Sequence, residues 1–373
     1  MVVEARLSFV SHFEDLPDPR QLWKVTYPLI EVLLLVLCGV ICGADGWVEI
    51  ATFGDARLEY LRQFLPFENG TPSHDTLGEL FSKLDPAEFQ RCFTAWVESL
   101  QTGLKGVVAI DGKTLRHSFK EGHDAIHVVS AWSSEQELIL GQEKVADKSN
   151  EIKAIPKLLD LLALSGALVT LDAMGCQKEI AAKIREKEAD YILALKENQP
   201  SLFNDVTLFL DQQVQTGQVL ASQSRDAGHG RVELRECFVS TDVEWLQSLH
   251  PAWKDLNSIG MIRSQRTNKK TGETSLEQRY YISSLQNPKP EAFEAAVRLH
   301  WGIENKVHWV MDVVFGSDDC RIRQDYAPQN FATIQQMAIN LVRKLKKGKL
   351  SIRCKRLTAA LKPEFLTEVL QGA

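Results

Sequence analysis

No apolar run in this chain is long enough to cross a membrane. The longest, Leu29 to Ala44, covers sixteen residues and contains Glu31, whereas a span wants about 20 uninterrupted apolar positions. A buried helix is the expectation there. Paired cysteines are also missing. The seven cysteines are odd in number and scattered, and Cys38 and Cys42 have no second Cys or His pair at zinc spacing. They read as core thiols of a reduced, cytoplasmic protein, which excludes a disulfide framework and a zinc finger. Low-complexity tracts and internal repeats are absent, and the first twenty residues carry charges where a signal peptide needs an apolar stretch, so secretion is not expected. An excess of positive charge is lacking too: the net charge is −6, a sum that argues against nucleic acid as a partner. The distribution matters more, because Leu341 to Arg356 holds eight Lys or Arg and no acid. Two readings fit that run, a solvated basic helix end and an arm that grips phosphate.

What is present is an ordinary globular composition over 373 residues, enough for two or three domains with a real core. Up to about residue 100 the apolar spacing is helical, in segments 28–42, 46–53, 55–65, 76–83 and 87–99. Turn signals separate these segments. Asp85 is placed to cap the last of them with Pro86 at its first position, and 71–84 reads as a capped helix of the kind found in helix-turn-helix modules. After Gly103 the texture changes. Segments 107–111, 126–133 and 138–145 read as strands, the last two joined by a short turn. A helix over 148–164 capped by Ser149 or Asn150, a strand in 167–175 ending on Asp172, a helix over 176–189 and a strand over 190–199 follow.

The order is β-β-β-α-β-α-β, which matches an RNase H-like core: a mixed five-stranded sheet flanked by helices. In that arrangement the first and fourth strands are neighbours. Asp111 and Asp172, 61 positions apart, would then lie side by side at two strand ends. Segment 200–290 interrupts the pattern with helical pieces and then strands (231–240, 258–267, 276–285), an insertion of mainly β character. Helical texture returns at 290–312 and 328–347. The domain plan expected is an N-terminal helical domain over 1–102, a catalytic domain over 103–345 and a basic C-terminal segment over 346–373.

A carboxylate at the end of a buried strand is costly unless something compensates it. Two adjacent carboxylates repel unless a cation lies between them. Magnesium suits them, since it takes hard oxygen ligands and is usually held by one or two carboxylates plus substrate phosphate. Two such ions can support phosphodiester cleavage. Glu304, an acid on an otherwise aromatic and apolar helix ("HWGIENKVHW"), is the candidate third ligand. An exposed surface position or an ion pair with a base such as Arg298 is its alternative.

The blocks "FEDLPDPR", "WVEIATFG", "ENGTPSHDT", "AIDGKTLRHS", "DKSNEIKAIP", "LDAMGCQKEIAAKI", "YILALKENQP", "RYYISSL" and "HWGIENKVHWVMDVVF" run in order from Phe13 to about Leu345. Together they resemble the H-repeat-associated insertion-sequence transposases, a group of DDE transposases. That resemblance implies a catalytic and metal-binding triad of Asp111, Asp172 and Glu304 on an RNase H-like fold. It further implies Mg2+, or Mn2+ as substitute, with two ions per site, and a transposase-associated domain in the N-terminal helices. The partners it implies are DNA, as terminal inverted repeats and target, and other copies of the chain in a dimer or larger assembly, with no membrane and a nucleoid-associated cytoplasmic location. One departure stands out. Related transposases often carry a Tyr and an Arg before the glutamate and a basic residue after it, where this chain has His300, Val297 and Met311, so that end-handling role is not carried over.

Candidate DNA contacts are Lys113 and Arg116 after the first aspartate, Lys196 and Asn198 after the fifth strand, Arg321 and Arg323, and Lys346 and Lys347 in the basic run; Arg298 and Lys306 are further candidates. His308 reads as a structural histidine or a partner of Glu304, and Trp301 and Trp309 as core, with stacking on an unpaired base as their alternative. Two rivals were weighed: a DNA-binding protein without catalysis, decayed or domesticated, and a phosphatase of the haloacid-dehalogenase type. Ala109, where that loop needs an acid, speaks against the phosphatase.

Overall fold

A computed structural model describes residues 7–101, 103–114, 127–145, 151–228 and 230–372. They form two compact units. One comprises the chain to Gly103, Gly112–Asn150 and Glu304–Ala373; the other comprises Leu104–Asp111 and Glu151–Ile303.

The first unit is mainly helical: α1 (Ser8–Phe13), α2 (Leu29–Ile41), α3 (Trp47–Leu61), α4 (His74–Lys83), α5 (Pro86–Ser99), α11 (Trp309–Val313), α12 (Ala327–Lys344), α13 (Ile352–Leu361) and α14 (Pro363–Gln371). The caps lie where the sequence places them. The Ser73 hydroxyl accepts from the Thr76 amide at the start of α4, and Asp85 accepts from Ala87 and Glu88 ahead of Pro86, each worth about 1 kcal/mol. The apolar run of α2 is buried on all sides against α3, α12 and α13, so it is a core helix. Glu31 within it is buried, and its carboxylate accepts from the Phe67 amide at 2.9 Å. Burial raises its pKa, while that hydrogen bond works in the opposite direction.

Helix α12 is buried along almost its whole length despite its many amides. The buried amide side chains have specific partners. Asn330 donates to the carbonyls of Phe81 and Leu84, Asn340 exchanges two bonds with the Ile139 backbone, and Gln336 donates to Gln142. Buried polar groups are tolerated when bonded in this way. In the same unit β2 (His127–Ser133) and β3 (Leu138–Val145) form an antiparallel pair, in the order β3-β2-β1 with the end of β1 (Gly106–Thr114).

The second unit holds the order β1-β4-β5-β9-β8-β7-β6, with β4 (Ala167–Leu171), β5 (Asp190–Leu195), β6 (Leu220–Gly228), β7 (Arg231–Ser240), β8 (Ser258–Asn268) and β9 (Thr274–Ser283). Strands β1, β4 and β5 are parallel, with α6 (Glu151–Leu161) and α7 (Lys178–Glu186) as crossovers. Ser149 and Asn150, read as caps of α6, lie outside the described residues. The insertion does not form a sheet of its own. Beyond α8 (Pro200–Thr216), β9 pairs antiparallel with β5 and the remaining strands continue from it. The short α9 (Glu244–Leu249) lies between β7 and β8. Helix α10 (Pro290–His300) packs on β4, β6 and β7. There the Phe293 ring occupies the place a side chain on Gly260 would take, 2.7 Å from a built Cβ, amid a core of Val107, Ile192, Val239, Ile262 and Tyr281.

Three expectations need correction. Strand β6 went unread because it is polar and exposed over most of its length. The helix expected over 290–312 ends at His300 and resumes as a π-helical turn, Glu304–His308, running into α11. Trp301 and Trp309 are not core: they are 42% and 55% exposed, and Trp301 lies under the Arg279 guanidinium, 5.0 Å from its ring.

Candidate active site

Strands β1 and β4 run parallel in strict register, with Val108 beside Val169 and Ile110 beside Leu171. One residue further along come Asp111 on β1 and Asp172 at the exit of β4. The apolar stretches of the two strands are held by burial, and each is followed by a carboxylate at the same edge, although β1, expected to stop at residue 111, continues to Thr114. The register therefore directs both aspartates to one edge of the sheet. Asp172 is exposed. Its Oδ1 accepts from the Gly175 amide at 3.1 Å, in a turn that only glycine fits well, since a Cβ at position 175 would sit 2.9 Å from the Leu171 side chain.

The residues after β5 fasten that turn. Asn198 donates from Nδ2 to the Ala173 carbonyl at 2.6 Å, and Gln199 donates from Nε2 to the Cys176 carbonyl at 3.0 Å. Asn198, listed among candidate DNA contacts by sequence, thus anchors the backbone next to Asp172, and Gln199 was missed altogether. The only signal for either was a pair of carboxamides just past a strand end.

His300 was also missed as a site residue. Its Nδ1 shares a hydrogen bond of 3.1 Å with the hydroxyl of Thr170, two residues before Asp172 on the same face of β4. Burial lowers its pKa while the Asp172 charge opposes that shift, which favours the neutral imidazole. Glu304 opens the π-helical turn and is exposed, in the unit that does not hold the two aspartates. Single π turns inside helical stretches are frequent at functional sites. Among the described residues, no three His, Cys, Asp or Glu side chains stand together as a preformed metal cluster.

The remaining candidates fall into distinct surroundings. Lys113 is buried, bonded to Asp312 and 3.6 Å from Asp318. Arg116 lies outside the described residues. Lys196 is exposed after β5. Arg321 and Arg323 line a cleft of about 1200 Å³ whose other walls include Asp45, Glu49, Asp75 and Asp319, a lining whose acids work against phosphate. Arg298 pairs with Asp226 at 3.4 Å and Lys306 with Glu137 at 2.7 Å.

The basic run fits neither sequence reading throughout. Arg343 is buried over the Trp132 ring and donates to the Lys306 carbonyl. Lys355 donates to the carbonyls of Val342 and Leu345, and Arg356 to those of Val40 and Val314. Lys346 and Lys347 are exposed and paired with Glu137 and Glu368. All seven cysteines are free thiols, and no described helix is long and apolar enough to cross a membrane.

A family model described as "Transposase DDE domain" matches residues 102–341, and one described as "DDE_Tnp_1-associated" matches residues 10–97. The chain belongs to the DDE transposase family. Its relatives include the "H repeat-associated putative transposase YhhI" of Escherichia coli K12, 40% identical over 372 residues and covering 98% of both chains. A "Putative transposase YncI" of Escherichia coli O157:H7 is likewise 40% identical over 380 residues, covering 99% of this chain and 95% of its own. A shorter relative named "Inactive transposase YbfQ", from Escherichia coli K12, is 46% identical over 74 residues, 20% of this chain and 88% of its own.

Proposed function

We propose that this protein is the transposase of an insertion sequence, which binds terminal inverted repeats and catalyses metal-dependent DNA cleavage and strand transfer. The observation that carries the reading is the register of β1 with β4, which brings Asp111 and Asp172 to one sheet edge. The parallel β1-β4-β5 neighbours in one unit, and the β2-β3 pair next to β1 in the other, are what an RNase H-like core requires. Family membership supports the same conclusion.

The donor chemistry fits a divalent cation. Two hard carboxylates follow paired residues at one sheet edge, Asp172 is open to solvent, and Glu304 offers a third exposed carboxylate. Asp111, Asp172 and Glu304 would hold Mg2+ or Mn2+, as two ions. Bound there, the ions supply Lewis-acid stabilisation of the attacking and leaving oxygens. The chain's own part is positional. The Gly175 amide, Asn198 and Gln199 hold the Asp172 turn in one shape, and His300 presents a neutral ring next to the carboxylate, leaving the local negative charge for cations. The reaction is in-line displacement at phosphorus, first by water and then by the freed 3′-hydroxyl on target DNA. DNA is the partner, and two copies of the chain act on paired ends.

The test is cleavage of labelled DNA bearing the element's terminal repeats, with Mg2+ or Mn2+, by the wild type and by Asp111→Ala. Nicking at the repeat boundary that vanishes in the variant is expected. Binding of the repeats without cleavage by either protein would instead support a catalytically inactive, domesticated DNA-binding role, a reading favoured by the relative named as inactive.

A further inference from the structure

We propose that Lys113 is a positioning residue for the carboxylate site, and that its partners Asp312 and Asp318 complete the device. This inference rests on the transposase reading above. Lys113 stands two residues beyond Asp111 on β1, and alternate residues of a strand share a face. Its ammonium nevertheless does not stand free on that face. It is buried, bonded to Asp312 and 3.6 Å from Asp318.

Asp312 belongs to α11, which continues without a break from the π-helical turn opened by Glu304; Asp318 belongs to the 3-10 turn Ser317–Asp319 that follows. One lysine thus ties the end of the Asp111 strand to two successive turns beyond Glu304. A buried ion pair of this kind contributes little net stability, because desolvation offsets its attraction. What it does supply is a fixed geometry, as bonded partners behind metal ligands do. Two carboxylates already satisfy the ammonium, so the pair also explains why a lysine beside the metal site need not be a phosphate contact.

The experiment measures Mn2+ affinity of the full-length protein by electron paramagnetic resonance of the free ion, alongside affinity for terminal-repeat DNA without metal. The variants are Lys113→Met with Asp312→Leu together, Lys113→Arg, Asp312→Asn and Asp111→Ala. The double variant replaces the pair by apolar groups, which keeps the fold while removing the tie; Asp312→Asn serves should the double variant fail to fold. Expected is a loss of Mn2+ affinity of about tenfold to a hundredfold in the double variant, with metal-free DNA affinity unchanged and Lys113→Arg recovering most of it. A purely structural role would lower the melting temperature and leave the Mn2+ affinity of the folded protein intact, overturning the proposal. Lost DNA affinity with intact Mn2+ affinity would overturn it too, making Lys113 a phosphate contact. Should Asp111→Ala leave Mn2+ binding as in wild type, or wild type bind no Mn2+, the site reading itself fails and the proposal with it.

Discussion

Replacing Arg356 by leucine separates the two functions that a basic run can have. The guanidinium is buried, stacked 4.0 Å from the Phe315 ring, and donates to the Val40 carbonyl at 2.9 Å, to the Val314 carbonyl and, at 3.4 Å, to Asp45. Both carbonyls lie at or just past helix ends, where acceptors lack partners within the helix. Hydrogen bonds from a charged donor contribute about 1.5–3 kcal/mol each, and a desolvated cation over a ring about 2 kcal/mol. Against these stands the cost of burying the charge, which leucine removes; that cost is visible in the lowered pKa of Arg356. Val40 keeps a second donor in the Gly43 amide. The balance is a loss of about 3 kcal/mol of stability. Urea unfolding followed by circular dichroism measures it, and the salt dependence of DNA binding is measured in parallel. If Arg356 were a phosphate contact, stability would change by less than about 0.5 kcal/mol and the log–log salt slope would fall by about one. That pair of results would refute the structural assignment of this residue.

Other expectations follow from single contacts. Gly260→Ala drives a methyl into the Phe293 ring and should cost about 1–3 kcal/mol, visible as a lower urea midpoint with an unchanged slope. Glu137 is held down to about 2 by hydrogen bonds from Lys306 and Lys346. A depressed carboxylate contributes above its unfolded value and loses that contribution as pH falls through the folded one. The stability gap between wild type and Glu137→Gln should therefore be full at pH 6, narrow below about 4.5 and close near 2; after discounting for solvent screening it is about 1 kcal/mol. Asn198→Ala removes the clamp on Ala173 and should slow DNA cleavage about tenfold while leaving DNA affinity unchanged, measured under single-turnover conditions.

The parts of this molecule that sequence could announce are those where one physical rule acts alone. The β1, β4 and β5 strands are apolar, short and bounded by turn residues, and the crossover order leaves few ways to arrange them. That is why the strand order alone directs two aspartates 61 positions apart to one sheet edge, as the register of Ile110 with Leu171 does. The cap at Asp85 is legible for the same reason, being a local hydrogen bond.

Residues whose role depends on a distant partner were not legible. Nothing near Arg356 in sequence reveals that Val40 and Phe315 surround it, and a run of basic residues looks the same whether its members face water or carbonyls. Lys113 shows the same dependence from the other side. Adjacency to Asp111 suggested phosphate, while its partner Asp312 lies 199 positions away. Aromatic residues on an apolar helix are usually core, yet Trp301 sits at the C-cap of α10, where the helix breaks, and the π turn at Glu304 changes the angular spacing ahead of Trp309. An insertion of one residue per turn rotates every following side chain by roughly 100° about the axis, enough to carry an inward position outward. The rotation that exposes Trp309 begins at Glu304, so the tryptophan and the candidate third carboxylate lie at the two ends of one π turn.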